Sequence, residues 1–225
     1  MRRFFCLFLC LALVGVPAVK CETPKYVALT FDDGPSGRFT RRLLEGLRER
    51  DAKVTFLLCG YRLEIYPELA EQMVAEGHEI GLHGYSHKDM AKLSSRELTR
   101  EVKDTLALLP EGCRPAFLRP PGGSESAAVA AVAKKAGLSL LLWSVDPRDW
   151  AVHDAAVVET AVISQVRSGD VILLHDLSDS SVDAALSIVE KLQGEGFRFV
   201  TVSQLALLRG ITPQPGETYR HFRES

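Results

Sequence analysis

The sequence predicts an α/β fold: one domain built as a barrel or near-barrel of parallel strands. Three observations predict it. Short apolar runs alternate with helix-period segments of roughly ten to fifteen residues, the pattern of repeated βαβ units. Seven such runs follow one another with no Gly/Ser-rich or Pro-rich linker between them. Titratable residues also gather directly behind the apolar runs, where parallel α/β folds collect their chemistry.

The elements follow in order. After a short polar linker (22–25), YVALTF (26–31) is strand-like and TRRLLEGLRERD (40–51) is an amphipathic helix. VTFLLCG (54–60) gives a second strand and PELAEQMVAEGH (67–78) a second helix, which ends near Gly77. EIGLHG (79–84) is the third strand. The helix over 94–109 opens on Ser94 and Ser95, and Ser94 stands three residues before Glu97, the spacing of a capping box. AFLRP (116–120) is the fourth strand, SAAVAAVAKKAG (126–137) a helix stopped by Gly137, and LSLLLWSV (138–145) the fifth strand. A helix over 154–167, the strand DVILLHD (170–176), a helix over 181–193 and the strand FRFVTV (197–202) complete the series. The remainder (206–225) is expected to be a polar tail, peripheral from residue 211 onward. No internal repeat is visible.

Composition narrows the function classes. Of 225 residues, 46% are hydrophobic and 25% charged, as in ordinary globular proteins, which excludes disorder and fibrous classes. Lysine and arginine (27) nearly balance aspartate and glutamate (29), which argues against nucleic acid as a partner, because phosphate binding needs a basic face.

The first eighteen residues stand apart. Arg2 and Arg3 precede an unbroken apolar run, Phe4 to Val16, and Val16 and Ala18 take the small-residue positions of a cleavage site. Residues 1–18 are therefore expected to be a secretory signal peptide. The alternative is an uncleaved membrane anchor, but the run is shorter than the roughly 20 residues that span a bilayer. A lipoprotein site at Cys21 is disfavoured by Lys20 before it. The expected location is secreted or cell-envelope, with no stable membrane span.

Reading only the ends of the strands gives a rim of special residues: Asp32 and Asp33, His83 and His87, Arg119, Asp146 with Asp149 and Trp150, then His175 with Asp176. Adjacent carboxylates on an extended segment point opposite ways, so Asp32 and Asp33 can do different work, although Asp-Asp-Gly-Pro is also turn chemistry. His83 and His87 have i, i+4 spacing. With a carboxylate they make an open Zn²⁺ site; without one they are two loop histidines. Arg119, ahead of two prolines and two glycines, is either an anchor for a carboxylate or a surface arginine. Asp149 and His175 form a possible dyad in which the carboxylate keeps the imidazole protonated and aimed. His175 could equally be a buried histidine closing an apolar strand. Trp143 and Trp150 taken alone would be core residues, and His78, His153 and His221 ordinary surface histidines.

Together these segments resemble the polysaccharide deacetylases with a NodB-homology domain, carbohydrate esterase family 4. The resemblance covers residues 26–205 and rests on five motifs in order: TFDDGP (30–35), HGYSH (83–87), RPPGG (119–123), DPRDW (146–150) and LLH (173–175). It implies a distorted (β/α)₇ barrel. It also implies a divalent metal, expected to be Zn²⁺, on Asp33, His83 and His87. Asp32 would be the general base, held by Arg119, and His175, oriented by Asp149, the acid that protonates the departing sugar amine. A backbone N–H of the third-motif loop at Gly122 would stabilise the oxyanion, and Trp150 and Leu173 would wall a pocket for the acetyl methyl. Where the family commonly carries Tyr, this chain has Gly122, a difference that bears on substrate preference.

The implied function is a secreted metal-dependent deacetylase removing N-acetyl groups from an acetylated polysaccharide or oligosaccharide, peptidoglycan or a chitin-like oligomer, as a monomer. Two alternatives are an O-acetyl esterase on xylan or another acetylated glycan, and a non-catalytic glycan-binding module. Of five cysteines, Cys6 and Cys10 fall in the signal peptide. Cys21, Cys59 and Cys113 allow one disulfide at most, with pairing open.

Overall fold

A computed structural model describes residues 24–224. The expected signal peptide (1–18), with Cys6 and Cys10, and Cys21 lie outside the described residues. Eight strands pair in parallel: β1 (Lys25–Asp32), β2 (Thr55–Leu58), β3 (Glu79–Leu82), β4 (Phe117–Leu118), β5 (Ser139–Leu141), β6 (Val171–His175), β7 (Phe197–Phe199) and β8 (Thr218–Tyr219). The sheet runs β6-β1-β2-β3-β4-β5. It curls until Val145, just past β5, bridges Ile172 of β6. The result is the expected α/β barrel, distorted in a definable way. β7 takes no full stave: it pairs only with Lys25–Val27, the stretch of β1 below its pairing with β2.

Among the described residues eight helices pack against the sheet, all but the last on its outside. They are α1 (Arg38–Glu49), α2 (Gly60–Ile65), α3 (Pro67–Ala75), α4 (Ser95–Leu106), α5 (Ala127–Lys135), α6 (Ala155–Ile163), α7 (Asp179–Gly194) and α8 (Val202–Leu208). α1 buries Thr40, Leu43, Leu44 and Leu47, one stripe at helical spacing. The capping box of α4 is present: Ser94 Oγ accepts from Glu97 N–H while the Glu97 carboxylate accepts from Ser94 N–H. The main core packs α1, α2, α3, α6 and α7 onto the outer sheet face, and a separate cluster does the same for α4 and α5.

The inner face decides the site. Ala28, Leu57, Phe117, Leu141 and Val171, one from each of five strands, meet inside the barrel against Val202, Leu205 and Ala206 of α8 and Phe222. Helix and tail thus plug the end of the barrel where the strands begin.

Four expectations need correction. The tail is not peripheral, because β8 pairs with β5 and Phe222 is 1% exposed. α8 opens on a Thr201–Gln204 capping box where the sequence predicts only the end of a strand. α2 is too short to show an apolar period. The fifth strand stops pairing at Leu141, because Arg119 takes the carbonyls of Leu141 and Leu142 that a neighbouring strand would otherwise use.

Candidate active site

Side chains on a strand alternate between faces, so the residue two places beyond each core position points into the barrel again. Two places beyond Ala28, Phe117, Leu141 and Val171 stand Thr30, Arg119, Trp143 and Leu173, and one step further Asp32 and His175. The rim is therefore the upward continuation of the core, and register sets Asp32 directly beside His175 on adjacent strands.

Arg119 is fully buried with every arm of its guanidinium engaged. Nη1 donates to Asp32 Oδ1 (2.6 Å) and Thr30 Oγ1 (2.9 Å), Nε to Leu141 O (3.2 Å) and Nη2 to Leu142 O (2.9 Å). Such a fork leaves Asp32, 3% exposed, one orientation, with Oδ2 turned toward His83 Nε2 at 3.6 Å.

Asp33, His83 and His87 converge. Asp33 Oδ1 lies 3.2 Å from His83 Nε2 and 2.9 Å from His87 Nε2, and one ligand atom from each of the three lies within 4.8 Å of the others. Yet Asp33 Oδ1 is buried with no hydrogen-bond partner: the three atoms aim at a shared point rather than at one another. Burial alone would raise the Asp33 carboxyl, but the two imidazoles outweigh burial and hold it well below the usual carboxylate range. An ionised oxygen and two imidazole nitrogens are a donor set that fits a divalent cation such as zinc. Behind it, His83 Nδ1 pairs with Arg119 O at 2.7 Å, which turns Nε2 into the cleft.

On the facing side Asp149, 1% exposed, holds His175 twice: Oδ1 lies 2.8 Å from Nδ1, and Oδ2 accepts the His175 backbone N–H at 2.8 Å. Burial would lower this imidazole, but Asp149, with Asp32 and Asp33 beyond it, more than reverses that and lifts it to about 9. Asp176, the next residue, is buried beneath the Asp33 turn, where Thr40 Oγ1 donates to its carboxylate. A Cβ on Gly34 would come within 2.6 Å of its Oδ1, so this turn has room only for glycine.

Asp32, Asp33, His83, His87 and His175 line one cleft of about 390 Å³ with Gly122, Trp143, Asp146, Trp150 and Leu173, while Arg119, Asp149 and Asp176 lie buried behind it. Trp150 is 56% exposed at the mouth, and Leu173 is buried in the wall. Gly122 sits at φ 62° with open space where a Cβ would be, apart from Ser124 Oγ at 3.9 Å, so that side of the cleft is unroofed. A second cleft of about 430 Å³ lies beside the start of β1, but two of its three arginines are already paired, Arg209 with Glu224 and Arg223 with Asp170.

Two residues differ from expectation. Trp143 is no core residue: it lines the cleft, 5.6 Å from the Arg119 guanidinium, a position its two-residue spacing from Leu141 signals. His78 is no surface histidine: it packs edge-on against Phe56, accepts the Val54 N–H at 3.3 Å and is pushed down to about 4 by burial.

The family described as polysaccharide deacetylase matches residues 19–141. A peptidoglycan-N-acetylglucosamine deacetylase of Bacillus cereus is 38% identical over 187 residues, 80% of this chain and 88% of its own length. The peptidoglycan-N-acetylmuramic acid deacetylase PdaC of Bacillus subtilis is 37% identical over 197 residues, 86% of this chain but only 42% of that longer protein. The structure of a family 4 acetyl xylan esterase from Clostridium thermocellum, in complex with a cobalt ion, superposes with a TM-score of 0.82 at 33% identity, covering 88% of this chain and 98% of that one.

Proposed function

The chain belongs to the polysaccharide deacetylase family, and from that premise we propose that it is a metal-dependent hydrolase removing N-acetyl groups from N-acetylglucosamine- or N-acetylmuramic acid-containing glycan, with release of acetate. Peptidoglycan is the substrate favoured, since both relatives above are named for it. The observation that carries the reading is the buried, unpartnered Asp33 Oδ1 facing two imidazole nitrogens, with an arginine-held carboxylate on one side and a carboxylate-held imidazole on the other.

Each residue takes a role its environment supports. Asp33, His83 and His87 would hold the divalent metal, with Zn²⁺ best suited to one carboxylate and two imidazoles. When bound, the metal polarises the acetamide carbonyl and acidifies water. Asp32, fixed by Arg119, accepts the proton of the attacking water through the oxygen that faces the cleft. The oxyanion that forms takes a hydrogen bond from the Gly122 N–H, since the next amide, Gly123, donates to Pro120 O at 2.9 Å. His175, charged and aimed by Asp149, delivers a proton to the departing amine. Leu173 and Trp150 enclose the acetyl methyl, and Trp143 extends that wall under the unroofed side.

We place the enzyme outside the cytoplasm, at the cell envelope, on the signal-peptide pattern of residues 1–18 and the wall polymer named for both relatives. Among the described residues no helix is long and apolar enough to cross a membrane.

Acetate release from peptidoglycan, chitin oligomers and acetylxylan, each with and without a chelator, tests this function. Release from peptidoglycan that stops with chelator and returns with zinc is expected. Release from acetylxylan alone would make the chain an O-acetyl esterase, and chelator-resistant release would remove the metal.

A further inference from the structure

Two of the three proposed metal ligands stand on strained backbone. Asp33 has φ 71° and His87 φ 57°, in the left-handed region that non-glycine residues rarely enter. Such strain persists only where the surroundings over-determine the conformation. For His87 the surroundings come from outside the cleft. Glu101, in the middle of α4, lines no part of the cleft, yet its side chain reaches the loop between the two histidines. Oε2 accepts the N–H groups of Tyr85 (2.7 Å) and Ser86 (2.8 Å), and Oε1 accepts the Ser86 hydroxyl (2.6 Å). The loop's carbonyls face the other way, where Gly60 N–H donates to Gly84 O and Tyr61 N–H to Tyr85 O, both at 3.0 Å. The segment is therefore gripped by its amides from α4 and by its carbonyls from the start of α2.

We propose that Glu101 is a positioning residue for the metal: by holding the Tyr85 and Ser86 amides it fixes the His83–His87 loop with both Nε2 atoms turned toward Asp33. The proposal rests on the assignment of Asp33, His83 and His87 as ligands. Hydrogen-bond acceptance and reach, rather than charge, do the work. Glu101 belongs to an element anchored independently, by the Ser94–Glu97 capping box and by burial of Leu98, Val102 and Thr105, so the grip is rigid at its base. Groups that orient ligands from behind typically change metal affinity 10–100-fold when removed.

The test is zinc affinity of the full chain, measured by chelator competition on Glu101→Ala, Glu101→Asp and Glu101→Gln, with circular dichroism confirming each fold. Glu101→Gln keeps an oxygen at full reach and is expected to bind zinc as the parent does. Glu101→Asp keeps the charge but falls a methylene short. It is expected to weaken binding toward the level of Glu101→Ala, about 10–100-fold below the parent, and saturating zinc should restore acetate release in both. If Glu101→Ala fails to fold, the Asp and Gln pair decides alone. A folded Glu101→Asp that binds zinc as tightly as the parent overturns the proposal, as does a Glu101→Gln as weak as Glu101→Asp. A parent chain that binds no zinc overturns the ligand assignment itself, a different result from parent binding that the variants leave unchanged.

Discussion

Arg119 is the residue on which the site turns. It has no contact with solvent, and its four hydrogen bonds tie the carboxylate of one strand to the carbonyls of another. Asp32 consequently has one job and one orientation. Asp32→Asn is expected to abolish acetate release while leaving zinc near one per chain, since the proposed metal ligands are untouched; activity retained in that variant would remove Asp32 as the base. His175 provides a second residue-scale prediction. In the metal-free protein its imidazole should titrate near 9 by NMR, and Asp149→Asn should bring it back toward 6.5. The folded state here holds its proton more tightly than the unfolded chain. The pair's stabilisation is therefore complete below about pH 6.5 and lost as pH rises through about 9, and Asp149→Asn should flatten that part of the pH–stability curve. The aspartate and histidine pairs were legible in the sequence because their spacing is local. Trp143 and His78 were not, because a single aromatic residue in an apolar run does not declare which face of its strand it occupies until the barrel exists.

At the scale of elements, capping carries weight beyond the helix ends. α4 begins at a capping box visible in the sequence, and the same helix presents Glu101 to the histidine loop. Ser94→Ala should cost about 0.5–2 kcal/mol, seen as a lower denaturant midpoint at unchanged slope. A larger loss accompanied by weaker zinc binding would show that the helix end and the loop unfold together. α8 carries the same capping signature, Thr201 with Gln204, directly behind the strand FRF. Its apolar run, Leu205 to Leu208, is only four residues, too short a stretch to display a helical period. α2 and the short β4 are decided by neighbours rather than by their own residues: two residues of strand are held because β3 and β5 flank them.

At the scale of the whole molecule, the barrel is a stack of inward-facing layers. The lowest is apolar and plugged by α8 and Phe222; the highest is acidic and basic and open to the cleft. Phe222→Ala is expected to destabilise the fold by about 3–5 kcal/mol, the cost of an emptied aromatic site, read as a drop in denaturant midpoint. A change under 1 kcal/mol would return the tail to the peripheral role its polar composition implies. The sequence by itself determined the alternation of strands and helices, the parallel sheet and the order of the five motifs, because periodicity, caps and strand-end chemistry are local properties. Tertiary structure alone decided that β7 pairs below β2, that the tail closes the barrel floor and that Glu101 grips the histidine loop. Each of these depends on contacts between residues far apart in the chain, or on which face a side chain presents once the sheet has curled, and no local pattern encodes either.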